Sequence, residues 1–146
     1  MYSTQNVAHE EAMIAIDAIR QDLQKRGKAA VIVISDTHGE AVALLRMDGA
    51  LLPSILVAQN KAFTAARQGQ TTGAMAADAK TGGWSFAYYG DPRYIGWDGG
   101  VPVVVEGKVI GAIAVSGLTE EEDAQLARLG ANAIYNHLSL QTGASK

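Results

Sequence analysis

Apolar residues recur at helical spacing in four stretches and form short dense runs in four others, and the order of these stretches predicts the architecture. Ala8, Ala12, Ile16, Ile19 and Leu23 share one helical face, with Ser3 or Thr4 available as an N-cap and Gly27 as the C′ residue after Lys25-Arg26. This predicts a first helix over residues 5–26. Ala29 to Ser35 and Glu40 to Met47 are β-rich and separated by Asp36-Thr37-His38-Gly39, residue types that suit a turn, so a hairpin is expected. Pro53-Ser54 opens a second helix that ends near Gly69. Ile55, Ala58, Ala62 and Ala65 line one side of it, and Lys61, Thr64 and Gln68 an adjacent one. A shorter helix runs from the Thr71-Thr72 cap to Lys80, where Gly82-Gly83 breaks the pattern.

The C-terminal third repeats the logic. Val101 to Val105 and Val109 to Val115 flank Glu106-Gly107-Lys108, whose glycine can take the positive φ of a tight hairpin turn. Gly111, Ala112 and Ala114 in the second run mark the close approach of a helix or a ligand. Thr119 and Glu122 have capping-box spacing, the hydroxyl expected to take one orphan N–H and the carboxylate another. Ala124, Ala127, Ala131, Ile134 and Leu138 give the last helix one buried face. Glu120, Glu121, Glu122 and Asp123 fall in its first turn, where negative charge opposes the helix dipole. Capping explains them without a metal.

Hairpins stand where a doubly wound protein would have crossover helices, so the fold class is α+β with a mainly antiparallel central sheet flanked by helices. At 146 residues one domain, 1–146, is expected, and no disulfide is available because the chain has no cysteine. A net charge of −3 without a basic run argues against nucleic-acid and membrane partners. The opening MYSTQNVAHEEAM lacks a signal-peptide pattern, so a cytoplasmic protein used as this chain is the expectation. Neither G-x-G-x-x-G after a strand nor a P-loop occurs.

Four ordered motifs, RMDGA at 46–50, KAFTAAR at 61–67, GGVPVVVEGKVIGAIAVSG at 99–117 and the acid at Asp123, resemble the GlcG/HbpS-like family of small haem-binding proteins. That family also includes the C-terminal domain of the PduO cobalamin adenosyltransferase. The resemblance covers most of the chain from about Ala29 and implies a profilin-like fold, assembly into homo-oligomers and haem as a cofactor. Function follows less directly, because one fold carries varied uses. Haem iron needs a lone-pair donor, and the histidines are His9, His38 and His137. His9 lies near the start of the first helix, in the region where some haem-binding members place ligands. His38 sits in a hairpin turn and His137 near the end of the last helix, and an idle surface role suits each of the three.

The segment WSFAYYGDPRYIGW, residues 84–97, holds six of the nine aromatic residues, more than the family's connection before Gly-Gly-Val-Pro. Trp84, Tyr88, Tyr89, Tyr94 and Trp97 can wall a pocket for a planar ligand, with Arg93 available for a carboxylate, or form an oligomer interface or a packed excursion. Asp91-Pro92 supplies a turn, so a short hairpin over the sheet is expected there. Arg46, Asp48, Lys61, Thr64 and Ser116 are the polar groups that could converge on such a pocket, with the N–H groups of Gly99 and Gly100 as an anion nest. Each also has a structural reading: Arg46 and Asp48 as a pair around a turn, Lys61 as a solvated or snorkelling lysine, Ser116 as a turn hydroxyl. Two functions follow. One is a module binding a small ligand, haem or another planar hydrophobic molecule, as carrier, sensor or accessory protein. The other is a cofactor-independent lyase or isomerase acting on an aromatic or short organic acid, with Arg93 or Arg46 holding the carboxylate and Lys61 or His38 moving the proton. A third, structural reading makes the aromatic cluster an assembly surface.

Overall fold

Every residue of Val31–Ser35 (β1) is buried, which marks it as a central strand. Ala41–Arg46 (β2) pairs with it on one side and Lys108–Ser116 (β4) on the other, and Gly100–Val105 (β3) completes an antiparallel sheet of order β2-β1-β4-β3. Four helices flank it: His9–Arg26 (α1), Ser54–Gln68 (α2), Thr72–Gly82 (α3) and Glu120–Ala144 (α4). The expected α+β class is therefore the observed one. The structure is a computed structural model and describes residues 1–144.

Strand alternation divides the core into two unlike layers. Ile32, Ile34, Ile113 and Val115 point to one face, where they pack with Ile16, Ile19 and Leu23 of α1 and Leu126 and Ile134 of α4. Val31, Val33, Ala112 and Ala114 point to the other, against Ala58, Ala62, Ala65 and Ala66 of α2. Small side chains on both partners bring the α2 backbone close to the sheet, and this is the close approach that the small residues of β4 signal. Gly111 serves a different contact, since a Cβ there would collide with the Ser35 carbonyl oxygen.

The β3–β4 turn has Glu106 at φ 51° and Gly107 at φ 76°, the paired left-handed residues of a two-residue hairpin loop. Helix α1 starts at His9 and not at residue 5. Val7 is buried and donates its N–H to the Ile110 carbonyl at 2.8 Å, so the strand holds the chain extended before the helix begins. The Ser3 and Thr4 hydroxyls are therefore not its cap. The Glu11 carboxylate instead takes the Ala8 N–H at 2.6 Å. At the other end Gly27, at φ 65°, lets the Lys28 N–H reach the Leu23 carbonyl at 3.0 Å, a C-terminal closure that glycine permits.

Residues 84–97 do not form the expected hairpin. The segment makes one 3₁₀ turn, Phe86–Tyr89, closed by Gly90 at φ 74°, and then a turn in which the Asp91 carboxylate accepts the Arg93 N–H at 2.9 Å. Thr64 explains why no strand follows. Its hydroxyl donates to the Asn60 carbonyl at 2.8 Å within α2 and lies 3.1 Å from the Arg93 carbonyl, and its oxygen accepts the Ile95 N–H at 3.0 Å, so that N–H is bonded to α2 and not to a partner strand.

Candidate functional site

Lys61 projects from the face of α2 adjacent to its alanine stripe, and the close packing of that helix carries the side chain inside the fold, where it is 2 % exposed. Its Nζ donates to the Asp123 Oδ2 at 3.0 Å and to the Val115 carbonyl at 3.0 Å. Asp123 lies in the first turn of α4 and is equally buried. Its second oxygen accepts the Leu118 N–H at 3.1 Å. The two charges thus satisfy each other at the junction of α2, β4 and α4. Burial pushes the Asp123 carboxyl above its ordinary range, against the opposing pull of the Lys61 ammonium.

Glycine makes this junction possible. At Gly99, with φ at 125°, a Cβ would stand 2.7 Å from the Val115 oxygen and 2.8 Å from the Lys61 Nζ; at Gly100 it would stand 2.5 Å from the Lys61 carbonyl oxygen. Their N–H groups do not form an anion nest, because Gly99 donates to the Asp98 carboxylate at 2.8 Å and Gly100 to the Thr72 hydroxyl at 3.0 Å. Both donors are spent inside the fold.

A half-open cleft of about 260 Å³ leads to the pair, lined among others by Leu51, Ser54, Trp97, Ser116 and Glu120. Ser54 and Ser116 are more than nine-tenths buried, and neither hydroxyl has a hydrogen-bond partner among the described residues. Leu51 and Trp97 contribute apolar walls and are 63 % and 61 % exposed. The site therefore has an ionic floor, two unspent hydroxyls and an apolar rim.

The sequence candidates divide between this cleft and other places. Lys61, Ser116 and Trp97 line it, and Gly99 and Gly100 shape its floor. Arg46 and Asp48 are exposed and line a separate open cleft beside Gly27 and Lys28; no ion pair joins them among the described residues. Thr64 is buried and bonds only backbone groups. Arg93 is held by Asp91 at 2.9 Å and Glu40 at 3.0 Å, with its guanidinium carbon 3.9 Å from the centre of the Phe63 ring, so it is not poised for a ligand carboxylate. Asp91 accounts for most of the upward push on the guanidinium pKa. Trp84, Phe86, Tyr89 and Tyr94 pack on one another, the last two stacked at 4.4 Å, and Tyr94 meets Phe63 edge-on at 5.0 Å. Tyr88 stands in solvent. His9 and His38 are exposed, His137 is half-buried on α4, and the described residues contain no group of three His, Cys, Asp or Glu side chains able to hold a metal.

Sequence reasoning reads Asp123 as a family-motif residue and a capping acid but not as a site residue, and it does not place Ser54 or Leu51 in a site at all. Asp123 carries a signal, since it precedes Ala127 by four and so falls on the buried stripe of α4, where a carboxylate needs a partner. The other first-turn acids do stay outside. Glu120 accepts the Asp98 N–H at 2.8 Å. Glu122 meets Lys28 at 2.8 Å, which holds its carboxyl below the usual range. The Thr119 hydroxyl accepts the Glu122 N–H at 3.2 Å as a cap should, but the Glu122 carboxylate takes the Thr119 hydroxyl and not an orphan N–H, because Lys28 draws it sideways.

Comparison with known proteins agrees with the motifs. The family model of haem-degrading HbpS-like proteins matches residues 7–132. An uncharacterized 15.0 kDa protein from the dhaT-dhaS intergenic region of Citrobacter freundii is 39 % identical over 101 residues, 66 % of this chain and 70 % of that protein. Escherichia coli protein GlcG is 35 % identical over 110 residues, 75 % of this chain and 81 % of GlcG. Among solved structures, Klebsiella pneumoniae ORFY superposes with a TM-score of 0.84 at 28 % identity, covering 92 % of this chain and 94 % of ORFY. A double mutant of Streptomyces reticuli HbpS gives 0.82 at 28 % identity, covering 90 % and 89 %.

Proposed function

Since this chain belongs to the HbpS-like family, we propose that it is a small-ligand-binding module for haem or another planar, largely hydrophobic molecule, seated on the apolar rim of the Lys61 cleft. The observation that supports this most directly is the rim. Leu51 and Trp97 leave large apolar surfaces in water beside a cleft whose floor is buried and charged, an arrangement that suits a flat ligand with one polar edge. Leu52 and Leu56, close to Leu51 in the chain, are exposed as well.

At this cleft the iron of a haem finds no histidine donor within one protomer. None of His9, His38 and His137 lines the cleft. A cleft of about 260 Å³ is also far smaller than a tetrapyrrole, so the ring would rest across the rim and not inside. The reading therefore needs the ring and not the metal.

Titration with hemin and, separately, with metal-free protoporphyrin IX tests it, with Trp fluorescence and porphyrin absorbance as readouts. Saturable, comparable binding of both is expected, unchanged in His9→Ala, His38→Ala and His137→Ala and weakened at least tenfold in Trp97→Ala combined with Leu51→Ala. Absence of saturable binding by either porphyrin ends the reading, and binding of hemin alone, abolished by one histidine substitution, replaces it with axial ligation.

A further inference from the structure

We propose that Lys61 is an amine nucleophile that captures a short aldehyde or ketone as an imine, with Asp123 as its proton partner and Ser54 and Ser116 as the hydroxyls that hold the carbonyl compound.

A lysine is costly at this place. A buried ammonium and carboxylate forfeit several kcal/mol of hydration each, and a hydrophobic pair of similar volume would fill the same space at no such penalty. Structural economy alone does not explain a lysine on the floor of a cleft. Nζ carries three N–H bonds in its charged form, and Val115 and Asp123 accept two of them; no third acceptor exists among the described residues. Lys61 also lines the cleft, so the unspent donor direction belongs to a group that a small molecule can reach.

Asp123 supplies what imine formation needs. At 3.0 Å from Nζ, and with its carboxyl pushed up by burial, it can take the ammonium proton and leave a neutral amine beside a neutral acid. The amine adds to the carbonyl carbon: a C–N bond forms, the carbonyl π pair moves to oxygen, and that oxygen takes a proton from the newly bonded nitrogen, which gives a neutral carbinolamine while Asp123 keeps its own proton. The carbinolamine then expels its hydroxyl as water with the help of the Asp123 proton while the nitrogen lone pair completes the C=N bond. Counted over both partners, one ammonium and one carbonyl give one protonated imine and one water. No oxidant or reductant is involved, and the carboxylate ends beside the iminium that it can stabilise.

The second, independent observation is the pair of unpartnered hydroxyls. Ser54 opens α2 and Ser116 ends β4; both are more than nine-tenths buried and line the cleft that contains Nζ. Among the described residues neither Oγ is spent within the fold, and both belong to the lining of the cleft, so each hydroxyl is free to donate to a carbonyl or carboxylate oxygen of a guest there. The volume limits the guest. The cleft is half-open and about 260 Å³, so the part of a guest that reaches Nζ is small, with Leu51 and Trp97 against its apolar part. A short aldehyde, a short ketone or a 2-oxo acid suits it, and the Glu120 carboxylate at the rim opposes a dianion such as a sugar phosphate.

The test is reductive trapping on the wild-type protein. Pyruvate and benzaldehyde, each with sodium cyanoborohydride, are incubated with the chain, and labelled lysines are mapped by peptide mass spectrometry against the same reaction on the urea-unfolded chain. The expected result is one saturable adduct on Lys61 with at least one probe. It should form at least tenfold faster in the folded chain than in the unfolded one and faster than the adducts on exposed Lys25, Lys28, Lys80 and Lys108. Asp123→Asn should slow it at least tenfold, and Ser54→Ala with Ser116→Ala should raise the half-saturating probe concentration. Labelling of exposed lysines with Lys61 unmodified overturns the proposal, as does equal Lys61 labelling in folded and unfolded chains. Because the primary readout uses the native sequence, its outcome does not depend on any variant folding. The two readings fail separately: porphyrin binding at the rim can be absent while Lys61 is trapped, and Lys61 can stay untrapped while porphyrin binds.

Discussion

Lys61–Asp123 and Arg93–Asp91 are ion pairs of nearly the same length, 3.0 and 2.9 Å, yet they stand in opposite surroundings. The first pair is 2 % and 3 % exposed and sits where two helices and a strand converge. The second is 42 % and 28 % exposed, shares its arginine with Glu40, and lies on a surface aromatic cluster. Distance alone does not distinguish them; solvent does. Water screens the outer pair and competes for its hydrogen bonds, whereas the inner pair is shielded from both, its remaining hydrogen bonds going to the Val115 carbonyl and the Leu118 N–H, and is little affected by salt. From the sequence, Arg93 is the residue expected to hold a ligand carboxylate, and Lys61 is open to a solvated or a catalytic reading. The structure reverses the emphasis, because Arg93 already has its carboxylates.

The largest effect that separates the two pairs is expected from Asp123→Ala. It leaves the Lys61 charge buried without a counter-ion, and a loss of about 3–5 kcal/mol in denaturant unfolding is the expected result. Lys61→Met combined with Asp123→Leu should recover most of that loss, since the penalty belongs to the orphaned charge. A loss below about 1 kcal/mol in Asp123→Ala would show that water reaches the pair in solution.

A smaller effect lies in the acid limb of the stability curve. The folded Asp123 carboxyl titrates above its unfolded value, so the folded state binds this proton more tightly and the group adds stability as pH falls through the folded pKa toward the unfolded one. Asp91 and Glu122 are shifted the other way and lose their contribution over the same descent. The difference in stability between wild type and Asp123→Asn should therefore move in favour of wild type from neutral pH to below the ordinary carboxylate range. A flat difference across that range would contradict the assigned direction. Smallest of all should be Arg93→Ala, whose ionic contribution shrinks further with added salt; a loss that matches Asp123→Ala, or one that ignores salt, would erase the distinction between the pairs.

The elements were legible because their signals are local. Alanine spacing and a C′ glycine mark α1, the Thr119 hydroxyl marks the start of α4, and Gly107 marks the β3–β4 turn. Where expectation and structure part, a distant group overrode a local preference. The Ile110 carbonyl holds Val7 extended and moves the start of α1, and the Thr64 hydroxyl oxygen takes the Ile95 N–H within the segment where a hairpin was expected. The site was half visible. Lys61 on the flank of an alanine stripe was a recognisable oddity, but Asp123, although part of the family motif, read as one of four capping acids at a helix start and not as a partner for Lys61.

By itself the sequence determined the α+β class, the antiparallel hairpins, the family and the presence of a lysine that local chemistry did not need. These rest on periodicity, turn chemistry and motif spacing, all of which act over a few residues or along the chain order. Tertiary structure alone decided that Lys61 meets Asp123, 62 residues away, that two serines face the same cleft, and that Arg93 is spent on Asp91 and Glu40. The reason is physical. Whether a charge is buried, paired or exposed depends on what packs across from it, and only the approach of α2 to the sheet, permitted by alanines on both and by Gly99 and Gly100, brings those partners together.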